Sequence, residues 1–113
     1  MASEQTPMSL SGALGWLVAI AGRAFEKRPF LHSEREADTF YRAHVRLVEE
    51  AAQPVPAVRL FFALTLTAAV AECNLVTPGT RNAQDAQILI GVLLPMVRAD
   101  LAAVLEYERK MRS

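Results

Sequence analysis

Apolar residues form four long stretches along this chain, each with helical spacing and each bounded by turn-forming residues. The third stretch is the most apolar. No charged residue lies between Arg59 and Glu72, and the large side chains there fall on every side of a helical wheel. A helix on the surface of a soluble domain would show one polar face. We therefore predict a helix from about Pro56 to Asn74 that neighbouring helices, or another chain, must cover.

The first stretch predicts a helix from a cap at Ser9 to about Lys27. One of its faces carries only small residues: Gly12, Gly15, Ala19 and Gly22. Each glycine is about 1 kcal/mol less favourable than alanine inside a helix. Close approach of another helix would explain this small-residue face, which Trp16 flanks. The alternative is a less stable helix that is held only by its packing.

The second stretch opens on the clearest helix start in the chain. The sequence from Ser33 to Glu36 reads S-E-R-E, a capping box in which each of these two residues hydrogen-bonds the backbone of the other. The helix is predicted to continue to about Gln53. Its expected apolar face is made of Ala37, Phe40, Tyr41, His44, Val48 and Ala51.

The fourth stretch predicts a long helix, capped by Asn82 and running from Ala83 to about Met111. Pro95 lies inside it and removes one backbone hydrogen bond. We expect a kink between Gly91 and Pro95 rather than two separate helices. Large apolar residues follow an alternating four-three spacing, which suits either bundle packing or a short helix pair in a dimer: Ile90, Leu94, Val97, Leu101 and Val104.

These elements predict an all-α fold, a small bundle of four helices with a kinked last helix. A flexible tail over residues 1–8 would precede a single helical domain over residues 9–113. The chain is 52% hydrophobic, which is more apolar surface than a domain of 113 residues easily buries. A homodimer would cover the excess.

Charge and cysteine content narrow the function. The 12 basic and 12 acidic residues give a net charge of zero, so nothing draws the chain to nucleic acid or to an anionic membrane. We find no run of about 18 strongly apolar residues and expect no membrane span. The single cysteine, Cys73, indicates a reducing compartment, and we expect a cytoplasmic protein. Cys73 is either free or bridged between two chains.

Few residues suggest chemistry. Neither His32 nor His44 has the ligand spacing of a metal site, and no histidine is near Cys73 in the sequence. The beginning of the fourth helix carries Asp85 and no basic residue after Asn82, which disfavours DNA recognition. We therefore expect no enzyme activity, no metal and no cofactor, and favour a protein-binding role.

Two apolar segments, SLSGALGWLVAIAGRAF and VRLFFALTLTAAVAECNL, give the chain a resemblance to a known family. In a short, neutral, Arg-rich chain they resemble the small all-helical antiactivators of bacterial quorum sensing, those of the QslA kind. The resemblance implies a cytoplasmic homodimer without cofactors. It also implies a protein that binds the ligand-binding domain of a LuxR-type transcription factor and blocks its dimerisation and DNA binding.

Large apolar residues and arginine are the usual anchors of such an interface. The candidates in this chain are Trp16, Arg59, Phe61, Phe62 and Leu66. Each of them fits ordinary core packing equally well, and at least one of the two adjacent phenylalanines must be core.

Two other functions remain open at this point. A small structural, chaperone or assembly protein would use the same apolar faces. A helical-bundle sensor would instead bind a small hydrophobic ligand in a cavity lined by Trp16, Phe61 and Met96.

Overall fold

The computed structural model describes residues 8–26, 33–54, 60–75 and 80–112, and these residues form four α-helices and no strand. The helices are α1 (Leu10–Phe25), α2 (Glu34–Ala51), α3 (Phe61–Leu75) and α4 (Arg81–Arg112). The predicted all-α bundle of four helices is confirmed. At about 1.5 Å per residue α4 is about 48 Å long, and the longest dimension of the molecule is 47 Å. The last helix therefore spans the whole bundle.

The first two helices begin at the predicted caps. Ser9 Oγ accepts a hydrogen bond from the backbone N–H of Gly12 at 3.0 Å. Ser33 Oγ accepts one from the N–H of Glu36 at 3.1 Å. The carboxylate of Glu36 forms an ion pair with Arg23 at 3.2 Å, which joins the beginning of α2 to α1.

The predicted cap of α4 is wrong. Thr80 Oγ1 accepts a hydrogen bond from the N–H of Ala83 at 3.3 Å, and the carbonyl of Thr80 accepts one from Gln84 at 3.0 Å. Thr80 is therefore the capping residue. The helix begins at Arg81, which places Asn82 inside the first turn. Threonine is nearly as good a cap as asparagine, so composition alone does not choose between them.

The third helix begins at Phe61, and the preceding Leu60 accepts a hydrogen bond from the N–H of Leu64 at 2.9 Å. The predicted beginning at Pro56 and the candidate Arg59 lie outside the described residues. Inside the helix, Thr67 donates its hydroxyl to the carbonyl four residues earlier at 2.9 Å. This buried hydroxyl therefore has its partner within its own helix.

Helices α1 and α3 form the centre of the bundle. Each contacts the other three helices, whereas α2 and α4 lie on opposite sides without contacting each other. The largest fully buried side chains come from all four helices: Leu14, Leu17, Leu47, Leu66, Ile90, Val70 and Val97. Burying each of them stabilises the fold by roughly 1.5–3 kcal/mol before entropy is subtracted. The four-three spacing that starts at Ile90 therefore serves packing within the bundle.

The buried face of α2 differs from the predicted one. Ala43 and Leu47 are buried, whereas Tyr41 and Val48 are exposed. Tyr41 lies about 200° around the helix from Ala43, so the two residues cannot share a face. The sequence pattern was ambiguous here because apolar residues occur on both sides of this helix.

Polar contacts fix the long helix to α1 at both ends. Ser11 Oγ donates to Glu108 Oε1 at 2.6 Å, and the Gln87 side-chain amide donates to the carbonyl of Ala24 at 3.1 Å. The helix runs through Pro95 as one element, as predicted, and the kink remains a prediction. Of the predicted tail, residues 1–7 lie outside the described residues, and Met8 packs against the core.

Candidate functional site

Phe61 is the most exposed of the four candidate interface residues that the structure describes. Its side chain is 71% exposed, although it opens the most apolar helix of the chain. The ring of Phe62 supports it, with the two ring centroids 5.7 Å apart and the planes at 75° in an edge-on arrangement. Phe62 itself packs against the core. One phenylalanine is therefore largely buried, as expected, and its neighbour projects into solvent.

Leu66 and Trp16 are less accessible. Leu66 is completely buried among core residues, which removes it from the surface that a partner could contact. Trp16 is half-buried at the boundary of α1 and α2, where its ring centroid lies 6.0 Å from that of Phe40. Both residues therefore contribute to packing within the bundle.

The face of α3 that contains Phe61 is only partly covered. Ala68 and Glu72 follow Phe61 at helical spacing and are exposed, and the half-buried Thr65 lies between Phe61 and Ala68. The hydroxyl of Thr65 donates to the carbonyl of Phe61 at 2.8 Å and needs no partner from outside. The helices of this chain therefore do not cover α3 on every side, and cover by another chain, the alternative in the prediction, stays a prediction. The three neighbouring helices of α3 leave this strip open.

The small-residue face of α1 receives no helix among the described elements. A Cβ at Gly15 or Gly22 would have nothing within 4 Å outside its own helix. A Cβ at Gly12 would meet only Ser9 and Met8, which come just before α1. The expected close approach of another helix of the bundle is therefore wrong, because α1 packs through its opposite, leucine-rich side.

An open groove of about 320 Å³ lies between α3 and α4. Its lining combines a small apolar floor with polar and acidic walls: Thr65, Ala68, Ala69, Glu72, Asn82, Asp85, Ala86 and Leu89. A second pocket of about 280 Å³ lies between the end of α1 and the middle of α4. Neither pocket contains Trp16, Phe61 or Met96. These two pockets between described residues are therefore not the cavity expected for a small hydrophobic ligand, which stays a prediction.

Among the titratable groups that the structure describes, the thiol of Cys73 is not an activated nucleophile. Burial, with a smaller contribution from the neighbouring Glu72, raises the pKa of the Cys73 thiol above its ordinary value. A raised pKa is the opposite of what activates a catalytic cysteine. His44 is half-buried on α2, and its Nδ1 has no hydrogen-bond partner among the described residues. The same residues contain no cluster of three potential metal ligands, and His32 lies outside them.

The outward side of α4 is the largest apolar feature that the sequence prediction missed. The exposed large residues of this helix are Ile88, Leu89, Val92, Met96, Leu105, Tyr107 and Met111. Ile88, Val92 and Met96 point away from the buried side of the helix, whereas Leu105 and Met111 lie on other sides of it. The signal was present in the sequence, because apolar residues between Ile88 and Leu105 are interrupted by only two charges, Arg98 and Asp100.

By length and composition α4 is long and apolar enough to cross a membrane, contrary to the prediction that no stretch qualifies. Core helices of soluble proteins and signal sequences pass the same test, so the match does not establish a membrane span. Only 28% of the most apolar 18-residue stretch of α4 is buried inside the molecule. Much of the apolar surface of α4 is therefore exposed in the structure.

No protein-family model matches this chain, and neither does any curated protein or solved structure compared with it.

Proposed function

We propose that this protein acts by binding another protein, with Phe61 as the anchor of the contact. The observation that carries the proposal is the 71% exposure of this ring at the beginning of an otherwise core-forming helix. A large aromatic ring that is left in water lacks the stabilisation of roughly 1.5–3 kcal/mol that burial provides. A partner that covers the ring would supply this stabilisation. Aromatic residues of this kind dominate the energetics of protein interfaces.

The position of Phe61 makes it a preorganised anchor. Leu60 before it is buried, and Phe62 after it packs against the core, so the backbone on both sides is held. The edge-on contact with Phe62 also restricts the ring. Binding would therefore immobilise few additional side chains, and each side chain that is already held avoids a cost of about 0.5–1.5 kcal/mol.

The surroundings of Phe61 allow a flat apolar surface to lie against α3. Ala68 is small and exposed, and the hydroxyl of Thr65 is already bonded within the helix. A partner can thus approach the helix closely without leaving this hydroxyl unsatisfied. Glu72, two turns beyond Thr65, would lie at the rim, where a basic residue of the partner can pair with it.

The resemblance to quorum-sensing antiactivators supplies the class of partner. We propose that the target is the ligand-binding domain of a LuxR-type transcription factor in the cytoplasm. The bound protein would cover the surface that the target uses for its own dimerisation, so that the target no longer pairs on DNA. No catalytic step is required, because occupancy alone prevents the target from dimerising.

The experiment mixes this protein with the purified, signal-bound ligand-binding domain of a LuxR-type regulator from the same organism. Light scattering after size exclusion should show the dimer of the target replaced by a complex of the two proteins. Phe61→Ala should weaken that complex at least about tenfold, which corresponds to roughly 1.4 kcal/mol. A target dimer that persists in excess of this protein would contradict the proposed mechanism.

Tyr41→Ala is the matched control, because this aromatic residue is 65% exposed on α2, away from Phe61. It should leave the affinity for the target unchanged. Equal losses for both variants would argue against an anchor at Phe61. Leu66→Ala separates packing from binding: it should lower the free energy of unfolding by about 2–5 kcal/mol, whereas Phe61→Ala should change it far less because the ring is already in water.

A further inference from the structure

The groove between α3 and α4 is formed by matching strips of the two helices. Its lining residues have the same spacing of three, one and three on each helix: Thr65, Ala68, Ala69 and Glu72 on α3, and Asn82, Asp85, Ala86 and Leu89 on α4. Such a spacing follows one side of a helix for two turns, so the groove is about 10 Å long. The groove is open because Ala69 and Ala86, the buried residues at its floor, have little side chain to fill the space between the helices.

The two ends of the groove differ in polarity. Helices that are joined by a short connection and pack against each other run antiparallel, and only five residues separate the end of α3 from the beginning of α4. Glu72 therefore lies at the same end of the groove as Asn82 and Asp85. Thr65 and Leu89 lie at the other end. The groove thus changes from acidic to apolar along its length.

Both carboxylates of the groove are accessible to a partner. Glu72 is exposed and has no ion pair with another residue that the structure describes. Asp85 has a long contact with Arg81, at 3.9 Å, and both of these side chains are largely in solvent. An exposed pair of this kind contributes little to stability, so a better-placed cation can replace Arg81. The acidic end is therefore complementary to a positively charged group.

The rest of the groove determines the shape of the side chain that fits. Most of its exposed lining is apolar, and the hydroxyl of Thr65 is already bonded to the carbonyl of Phe61 at 2.8 Å. A hydrocarbon stem can thus lie in the groove without leaving this hydroxyl unsatisfied. The volume of about 320 Å³ is at the lower end of the range for ligand sites, which suits a side chain rather than a cofactor. Long basic side chains combine such a stem with a charged head.

Arginine fits this groove better than lysine does. Its five N–H donors form a planar fork that can reach acceptors on more than one side, whereas the lysine ammonium is a compact point charge. Glu72 is on the α3 wall of the groove and Asp85 is on the α4 wall. The side-chain oxygen of Asn82 is a third acceptor near the same end.

One wall of the groove is continuous with the surface around Phe61. Thr65, Ala68 and Glu72 line the groove and also follow Phe61 along the open strip of α3. A partner that is seated on Phe61 and extends along this strip therefore covers the groove as well. Glu72 is 11 residues beyond Phe61, which is about 16 Å along the helix.

We propose that the groove between α3 and α4 is a specificity pocket that receives an arginine side chain of the partner protein. The stem of this arginine lies on Ala69 and Ala86, and its guanidinium group lies between Glu72 and Asp85. The proposal rests on the proposed function and adds the chemistry that the target must present. That chemistry is an apolar patch for Phe61 and an arginine about 16 Å from it.

The first experiment tests the groove without the partner. The probe is n-hexylguanidinium, a hydrocarbon stem with a guanidinium head, and the amide signals of the isotopically labelled protein are followed by NMR. The amides of Ala69, Glu72, Asp85 and Ala86 should shift together, with a Kd in the millimolar range. Guanidinium chloride lacks the stem and n-hexanol lacks the charge, so each should bind at least about tenfold more weakly.

Two double variants identify the groups that hold the charged head. Glu72→Gln combined with Asp85→Asn removes both charges at exposed positions and should weaken binding of the probe about tenfold. Glu49→Gln combined with Asp38→Asn makes the same changes at exposed positions of α2 and should leave the affinity unchanged. Circular dichroism should show both proteins folded.

A substitution that changes no charge tests the position of the stem. Ala68→Leu adds side-chain volume at an exposed wall of the groove and should weaken binding of n-hexylguanidinium. Ala103→Leu makes the same change at an exposed position of α4 beyond the groove and should have no effect. Equal affinities for the two variants would show that the stem does not enter the groove.

The second experiment uses the signal-bound ligand-binding domain that is proposed as the target. The double variant Glu72→Gln, Asp85→Asn should weaken the complex at least about tenfold, and high salt should reduce its difference from the wild-type protein. Arginines on the dimerisation surface of the target are then replaced by alanine one at a time. One of them should be coupled to the groove carboxylates in a double-mutant cycle.

The outcomes separate this proposal from the proposed function. If the probe fills the groove but the wild-type protein does not bind the target, the choice of target is wrong and the groove is supported as a receptor for guanidinium. A complex that the double variant forms with unchanged affinity would overturn the arginine pocket and leave the function intact. The absence of any shift with n-hexylguanidinium would overturn it as well.

Two further results would assign the groove to a different occupant. Calcium chloride that shifts the same amides at lower concentrations than n-hexylguanidinium would indicate a cation site. A homodimer of this protein that the double variant dissociates would indicate that a second copy fills the groove. Either result would overturn the proposal.

Discussion

The ring of Phe25 lies on the backbone of Gly91, so closely that a Cβ at Gly91 would be 2.7 Å from Cε1 of the ring. Phe25 is the last residue of α1, and Gly91 lies one turn before Pro95 in α4. The contact therefore joins the end of one helix to the middle of another. It also gives Gly91 a packing role in addition to its place at one end of the predicted kink.

This contact predicts a coupling between the two residues. Gly91→Ala should have little net effect in the wild-type protein, because the gain of about 1 kcal/mol in helix propensity is offset when the ring is displaced. In a Phe25→Ala background the same substitution should stabilise the protein by most of that amount. Urea unfolding of the four proteins in a double-mutant cycle measures the difference. Equal effects in both backgrounds would show that the ring does not restrict position 91.

Gly15 leads to the opposite expectation, because a Cβ there meets nothing within 4 Å. Gly15→Ala should stabilise the domain by about 1 kcal/mol and raise its Tm by about 4 °C. Gly12→Ala is the matched control in the same helix, since its Cβ would lie 2.9 Å from the Ser9 hydroxyl that caps α1. It should gain less. If Gly15→Ala instead abolished target binding, the small-residue face of α1 would be part of the interface.

The beginning of α4 offers a test of the corrected cap. Thr80→Ala should destabilise the protein by about 1 kcal/mol, because the N–H of Ala83 loses its hydroxyl acceptor. Asn82→Ala should be close to neutral, since Asn82 lies inside the first turn. Ser33→Ala, at the confirmed cap of α2, provides the reference value. Thermal unfolding of the three variants decides between the two capping residues, and a larger loss for Asn82→Ala than for Thr80→Ala would reverse the assignment.

The sequence predicted the elements of this fold well because their boundaries are local. A serine followed three residues later by glutamate, as at Ser33, specifies a helix start within a few residues. Prolines and glycines between the stretches interrupt the helical pattern in the same local way. The number and order of the helices therefore followed from the sequence pattern.

The sequence pattern does not determine which face of each helix enters the core, because that depends on contacts with helices that are distant in the sequence. Two apolar seams of α4, one through Leu89, Val92 and Met96 and one through Ile90, Leu94 and Val97, both have spacings of three and four residues. Contacts with α1 and α3 decide that the Ile90 seam is core. Likewise Phe61 and Phe62 are chemically identical, and they differ by only about 100° of rotation around α3. One residue supports the core and the other remains exposed.

Cys73 provides a prediction that depends on pH. Burial, and to a smaller extent the charge of Glu72, raises the pKa of its thiol. Alkylation by iodoacetamide at neutral pH should therefore be slower than that of an unstructured cysteine peptide, because less of the thiol is ionised. Glu72→Gln removes the repulsion, so the pH midpoint of the alkylation rate should move down. Glu49→Gln, on the exposed side of α2, should leave it unchanged.

The same pKa shift determines the sign of the effect on stability. The folded state keeps the thiol protonated to higher pH than the unfolded state does. The stability that this difference contributes is fully present below the pKa of the unfolded thiol, and is lost as the pH rises through the raised value. The free energy of unfolding should thus decline with alkaline pH more steeply in the wild-type protein than in Cys73→Ser. Parallel curves for the two proteins, together with an alkylation midpoint that Glu72→Gln does not move, would show that the thiol is not perturbed by its surroundings.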